Sequence, residues 1–171
     1  TNTLFVFPVI IVLLPLYAKN DLHATAEQMG LLMLCSGAGS VSGSLLIMAL
    51  KPAVRRIAIL IGMVLACGAL VSLSQSHELI WAGASLVCLA IGVSTLVGLA
   101  NTIVQERSPA ELRGRVSAVA GLSFFGFLPF AAIIMGVMTD LFELRNVLLG
   151  SSICYAIIGF IVMLTVGSKV T

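Results

Sequence analysis

Glu106-Arg107-Ser108-Pro109-Ala110-Glu111-Leu112-Arg113-Gly114-Arg115 is an island of charge between two long apolar runs. Upstream, residues 79–104 are apolar or small apart from Ser85, Ser94, Thr95, Asn101 and Thr102, and downstream residues 116–138 add only Ser117 and Ser123. A helix needs roughly 20 apolar residues, at 1.5 Å rise each, to cross the hydrocarbon of a bilayer. Both runs exceed that length, so the island is expected to be a tight turn at a membrane surface.

Composition points the same way. With 60% hydrophobic and 9% charged residues over 171 positions and a mean hydropathy of +1.17, the chain has too little polar surface to cover a water-soluble globule. A net charge of +2 is too small for a nucleic-acid partner, so the distribution of charge matters more than its sum. Cys35, Cys67, Cys88 and Cys154 all fall in apolar runs without CxxC or His/Cys spacing. They read as small buried or lipid-facing thiols, and neither a metal site nor a cofactor is expected.

Working outward, the apolar periodicity and its interruptions predict an all-α, polytopic membrane protein. Six helices are expected near residues 4–18, 27–50, 57–74, 79–105, 116–138 and 146–167, forming one membrane domain. The first run is interrupted by Pro8 and Pro15 and spans only about 22 Å as a helix, short of a ~30 Å hydrocarbon core. It is expected to be cut at its front end, since no basic n-region or cleavage site marks it as a secretory signal. Thr25 is placed to cap the second helix. That helix is crowded with small residues: Ser36, Ser40 and Ser44 recur every fourth position, and Gly39 with Gly43 forms a GxxxG that lets a neighbouring backbone approach. The fifth run carries Gly121, Gly126, Pro129 and Gly136 among Phe124, Phe125, Phe127 and Phe130, which marks it as a helix that bends. Asp140 and Glu143 have the spacing of a helix-starting capping box.

Orientation follows from the basic residues. Alternate turns place Lys51, Arg55, Arg56, Arg107, Arg113, Arg115 and Lys169 on one side, against Lys19 and Arg145 on the other. In short loops this asymmetry marks the cytoplasmic face. The 51–56 and 106–115 turns and both ends are therefore expected inside. His23 and His77 fall in the opposite turns and read as surface residues.

No ionisable residue lies near the middle of any run, where a charge would cost at least ~3 kcal/mol and would be the usual mark of a proton relay. No serine has a His, Lys or carboxylate partner at its own depth, so a membrane-embedded enzyme is disfavoured and no catalytic residues are expected. The island has two readings. Its positive charges fix topology and touch anionic lipid headgroups, or Glu106, Arg107, Glu111, Arg113 and Arg115 form ion pairs at a cytoplasmic mouth that hold one conformational state.

One resemblance covers nearly all of the chain. Gln105-Glu-Arg-Ser-Pro109-Ala-Glu111-Leu-Arg113-Gly114-Arg115-Val116, preceded by Asn101 and followed by a Gly/Phe/Pro-rich helix ending Gly136-Val-Met-Thr-Asp140, resembles the tenth-to-eleventh-helix loop and the eleventh helix of bacterial major facilitator superfamily transporters. The likeness is closest to the branch of the enterobactin exporter and the macrolide-efflux proteins. Leu14-Pro15-Leu16-Tyr17-Ala18, a polar turn and a Gly-rich helix look like helices seven and eight of that branch. One departure is the acidic signature that the superfamily often carries between helices two and three: the matching stretch here, residues 43–56, has no Asp.

The resemblance implies the C-terminal six-helix half of a twelve-helix transporter in a bacterial cytoplasmic membrane. Its partners would be membrane lipid, the N-terminal half and a small-molecule substrate, moved by rocking of the halves around a central cavity. If protons drive it, the coupling carboxylate belongs to the N-terminal half. Family cavity helices correspond to the first, second, fourth and fifth runs, which makes Phe7, Ser36, Ser40, Asn101, Phe124 and Phe127 the candidate lining. An aromatic and weakly polar wall without buried charge suits bulky amphipathic cargo, such as a drug or siderophore. A six-helix structural module that dimerises through its small-residue helix is the alternative.

Overall fold

A computed structural model describes residues 25–76 and 78–167, without the side chains of Leu144 and residues 160–167. The first apolar run, Phe7, His23 and His77 lie outside the described residues. Five α-helices follow in order: α1 (Ala26–Ala49), α2 (Arg55–Gln75), α3 (Leu79–Arg107), α4 (Arg113–Leu141) and α5 (Leu144–Gly167). Four spans, Ala26–Ala49, Pro52–Gln75, Leu79–Arg107 and Arg113–Leu141, are long and apolar enough to cross a membrane. α5 has 24 residues, or about 36 Å at helical rise.

Each boundary has a local cause. Thr25 opens α1 with a capping box: its hydroxyl accepts from the Gln28 N–H, and the Gln28 side chain accepts from the Thr25 N–H at 2.9 Å. Pro52 begins a 3-10 turn, Pro52–Val54, that leads straight into α2. At the charged break in hydropathy, α3 runs on through Glu106 and Arg107, and α4 already starts at Arg113. The turn between them is only residues 108–112, because Pro109 cannot donate to the helix before it and its carbonyl accepts from the Leu112 N–H at 3.0 Å. Both flanking helices have 29 residues, about 43 Å, so their charged ends emerge beyond a ~30 Å hydrocarbon layer without cost. Asp140 does not cap the last helix: it lies in the final turn of α4, because the helix continues to Leu141. The carbonyl of Glu143 instead accepts from the N–H groups of Asn146 and Val147.

α3 is the central element, packed against α1 on one side and α2 on the other. The α1–α3 seam is built on the GxxxG. Gly39 lies over Val87 and Ala90, Gly43 over Ile91 and Ser94, and Gly98 under Ile47, so the two helices run parallel. The α2–α3 seam runs antiparallel, through Arg55 with Glu106, Gly62 and Ala66 against Gly92, and Ser72 with Ser85. Glycine at 39, 43 and 92 is required because a Cβ there would meet a neighbouring backbone at 2.6–2.8 Å. Lipid is as apolar as leucine, so close packing of this kind rather than exclusion of water holds membrane helices together.

α5 lies against α2, where Gly159 makes room for Met63, and touches α4 through Ser151 and Met135. Leu32, Ala66, Leu70, Leu73, Ala82, Leu86, Leu89, Val93, Leu148 and Tyr155 make up the interior. α4 buries only Ala131 and Met135, leaving Leu122, Phe125, Phe127 and Phe130 exposed. α1 likewise contributes one face to the bundle and exposes Leu31, Leu34, Val41, Leu45 and Met48 on the other. Hydroxyls along the helices are satisfied by their own backbone: Ser40, Ser42, Ser44, Ser85, Thr95, Thr102, Ser123 and Ser151 each donate to the carbonyl four residues earlier. Such side chains can sit in lipid without an orphaned donor.

Candidate functional site: a charged end and a weakly polar interior

Alternating helix direction gathers the charges at the two ends of the bundle. One end carries Lys51, Arg55, Arg56, Arg107, Arg113 and Arg115 against Glu106 and Glu111, and the other carries Glu27, Glu78, Asp140 and Glu143 against Arg145. Among the described residues no charged side chain lies between. This is the arrangement that short loops of a multi-pass membrane protein adopt, with basic residues gathered at one end.

At the basic end Arg55 holds Glu106 in a two-pronged ion pair. Nη1 donates to Oε2 at 2.6 Å and Nη2 donates to Oε1 at 3.0 Å. Fork-to-fork geometry fixes orientation as well as distance, and here it ties the first turn of α2 to the last turn of α3. Arg113 takes a different partner, donating from Nε to the Ser108 carbonyl at 3.3 Å, which closes the 108–112 turn on itself. Ser108 in turn donates to the Val104 carbonyl at 2.6 Å. Arg107, Glu111 and Arg115 are exposed. Of the five island charges only Glu106 enters a salt bridge among the described residues, and its partner, Arg55, was not among the residues singled out from the sequence. The signal was available: alternation puts the start of the third run and the end of the fourth on one side.

The described interior candidates are spread over three helices. Ser36 and Ser40 are half-buried on α1, at the margin of its seam with α3, and the Ser40 hydroxyl donates to the Ser36 carbonyl at 3.0 Å. Asn101 is exposed on α3. On α4, Phe124 is half-buried with Phe125 edge-on to it at 5.3 Å between ring centroids, and Phe127 is exposed. Grooves are present among the described residues. One of about 420 Å³ lies between α4 and α5, lined by Met135, Met138, Asn146, Ser151 and Cys154 among others. The second, of about 600 Å³, lies between α2 and α3. The interior candidates line neither. Among the described residues, no group of three or more His, Cys, Asp or Glu side chains is placed to hold a metal ion.

The bundle is thus that of a multi-pass α-helical membrane protein with an apolar body and a basic end. The family model of the Major Facilitator Superfamily matches residues 2–131, about three quarters of the chain, and the chain belongs to that family of membrane transporters. Comparison with curated proteins and with solved structures gives no match.

Proposed function

We propose that the chain is the C-terminal six-helix half of a secondary active transporter that exports bulky amphipathic molecules from a bacterial cell by alternating access. It would sit in the cytoplasmic membrane with both ends inside, facing the N-terminal six-helix half. The observation that carries the reading is the family match over helices whose charges all lie at the bundle ends. In the assembled transporter, Phe7, Ser36, Ser40, Asn101, Phe124 and Phe127 would line a cavity completed by the N-terminal half, with aromatic faces and amide or hydroxyl groups and without a buried charge. Such a wall favours cargo recognised by shape and area over a small charged nutrient. Proton coupling, in this reading, belongs to the N-terminal half, since the described membrane interior holds no carboxylate.

Glu106, Arg107, Glu111, Arg113 and Arg115 are proposed to form the cytoplasmic gate, with Arg55 added as the partner of Glu106. The pair is in place in one arrangement of α2 and α3, and its release would shift the balance between access states. Gly39 and Gly43 of α1 pack on α3 of the same chain, which supports the transporter reading over a structural module that dimerises through them.

The test is efflux by the whole protein. Cells producing it are expected to accumulate less of a panel of lipophilic drugs or siderophores, and Asn101→Leu and Phe127→Ala are expected to reorder the panel. Movement of small charged nutrients alone, with the amphipathic panel untouched, would reject the reading.

A further inference from the structure

α3 is covered on two sides and α4 is not, and the difference follows from the order of the helices. α3 lies between α1, which runs parallel to it, and α2, which runs antiparallel. α2 in turn lies against α5. With the first apolar run included, the six segments fall into two successive triplets: residues 4–18 with α1 and α2, then α3 with α4 and α5. In a transporter half of this family such triplets are related by an inverting two-fold axis in the plane of the membrane. Exchanging the triplets leaves the α2–α5 contact, third member on third member, unchanged. The α1–α3 seam becomes a seam between α4 and residues 4–18, and the α2–α3 seam becomes one between α5 and residues 4–18. These are the two contacts that the described residues leave open.

The second members of the triplets also match in sequence. α1 and α4 carry four glycines each, and Gly39 and Gly126 are both the fourteenth residue of their helix. Gly39 is pressed against α3, but a Cβ on Gly126 would meet nothing within 4 Å. Val119, Leu122, Phe130, Ile133 and Val137 share the face of Gly126 at helical spacing, and all are exposed. A glycine there costs the helix about 1 kcal/mol against alanine and gains nothing from lipid, whereas it lets another backbone come close. From Val119 to Val137 the face is about 27 Å long, against about 22 Å for fifteen helical residues. Residues 4–18 carry no charge, and Ala18 is their one small side chain. The room for close approach must therefore come from α4, as it comes from Gly39 and Gly43 in the α1–α3 seam.

We propose that this face of α4 is the seat of residues 4–18 of the same chain, a segment outside the described residues, running parallel to α4 and antiparallel to α5. This packing rests on the six-helix reading above. It makes the 4–18 segment the counterpart of α3, the element that joins the second and third members of the opposite triplet.

Disulfide cross-linking in the whole transporter tests it. In a cysteine-free background a protease site is placed in the 19–24 turn, so that cleavage separates the first run from α1 unless a disulfide retains it. Phe130→Cys is paired with a cysteine at each position from Val9 to Leu14 in turn and oxidised in the membrane with copper phenanthroline. Retention is expected at positions three or four apart, and at none of them when Phe130→Cys is exchanged for Val64→Cys on the exposed face of α2. Asn20→Cys, labelled separately in intact cells, is expected to react with an impermeant maleimide added outside. Labelling of Asn20→Cys only from inside would overturn the six-helix reading and this packing together. External labelling without retention at any Phe130→Cys pair, or with equal retention by Val64→Cys, would overturn the packing alone.

Discussion

Replacing Gly39 by alanine tests whether the α1–α3 seam is as tight as the fold requires. A Cβ at residue 39 would stand 2.6 Å from the Val87 carbonyl oxygen and 2.8 Å from the Ala90 Cβ, whereas ordinary contact begins at 3.4 Å. Neither obstacle is the end of a flexible side chain, so α1 and α3 must part by about 0.8 Å near that turn. Overpacking of this kind costs about 1–3 kcal/mol. Gly37→Ala is the control two residues away, with open space around it, and the better helix former should stabilise by up to about 1 kcal/mol. Titration of the micelle-embedded protein with a denaturing detergent, followed by circular dichroism, should place the Gly39→Ala midpoint below wild type and the Gly37→Ala midpoint at or above it. Gly43→Ala, whose Cβ would stand 2.8 Å from the Ile91 carbonyl, should repeat the loss. The double variant should cost less than the sum, because one displacement of α1 relieves both contacts. Coincident midpoints for Gly39→Ala and Gly37→Ala would refute the reasoning.

Other expectations concern the polar contacts and the energy source. A double-mutant cycle on Ser72→Ala and Ser85→Ala should give a coupling of about 0.6 kcal/mol, typical of a hydrogen bond between membrane helices; a coupling indistinguishable from zero would mean that the pair does not join α2 to α3. In the whole protein, Arg55→Glu and Glu106→Arg should each reduce transport and the reciprocal double variant should recover it, with abundance in the membrane unchanged throughout; equal activity in all three would remove the pair from the gate. Arg113→Ala and Arg115→Ala should alter transport at normal abundance, whereas disappearance of both from the membrane would assign those residues to insertion. The 171-residue chain alone in liposomes should show no proton-coupled flux of substrate, and robust coupled flux would place the coupling group within it.

Much of the architecture was legible because lipid imposes a single strong rule: every backbone group must bond within its own helix, so apolar runs of spanning length are helices and charges mark their ends. Gly39 and Gly43 could be read as a close-approach surface for the same reason, and α3 is found on it. Asp140 was misplaced because a capping-box pattern is local, while the extent of α4 is set by a 29-residue helix that carries its final turn past the apolar stretch. Arg55 was missed because ion-pair partners 51 residues apart are joined only by helix direction and phase, which hydropathy does not encode. The α2–α3 groove was invisible for a related reason, since it depends on which side chains flank a seam formed by Gly62, Ala66 and Gly92.

Cysteine accessibility in intact cells tests the membrane topology most directly. In a cysteine-free background, Gln75→Cys and Phe142→Cys should react with an impermeant maleimide added outside, while Ala53→Cys and Ala110→Cys should react only after the membrane is opened. Labelling of all four positions from one side would contradict the alternation of helices on which the account stands, and labelling of Ala110→Cys from outside would contradict its orientation.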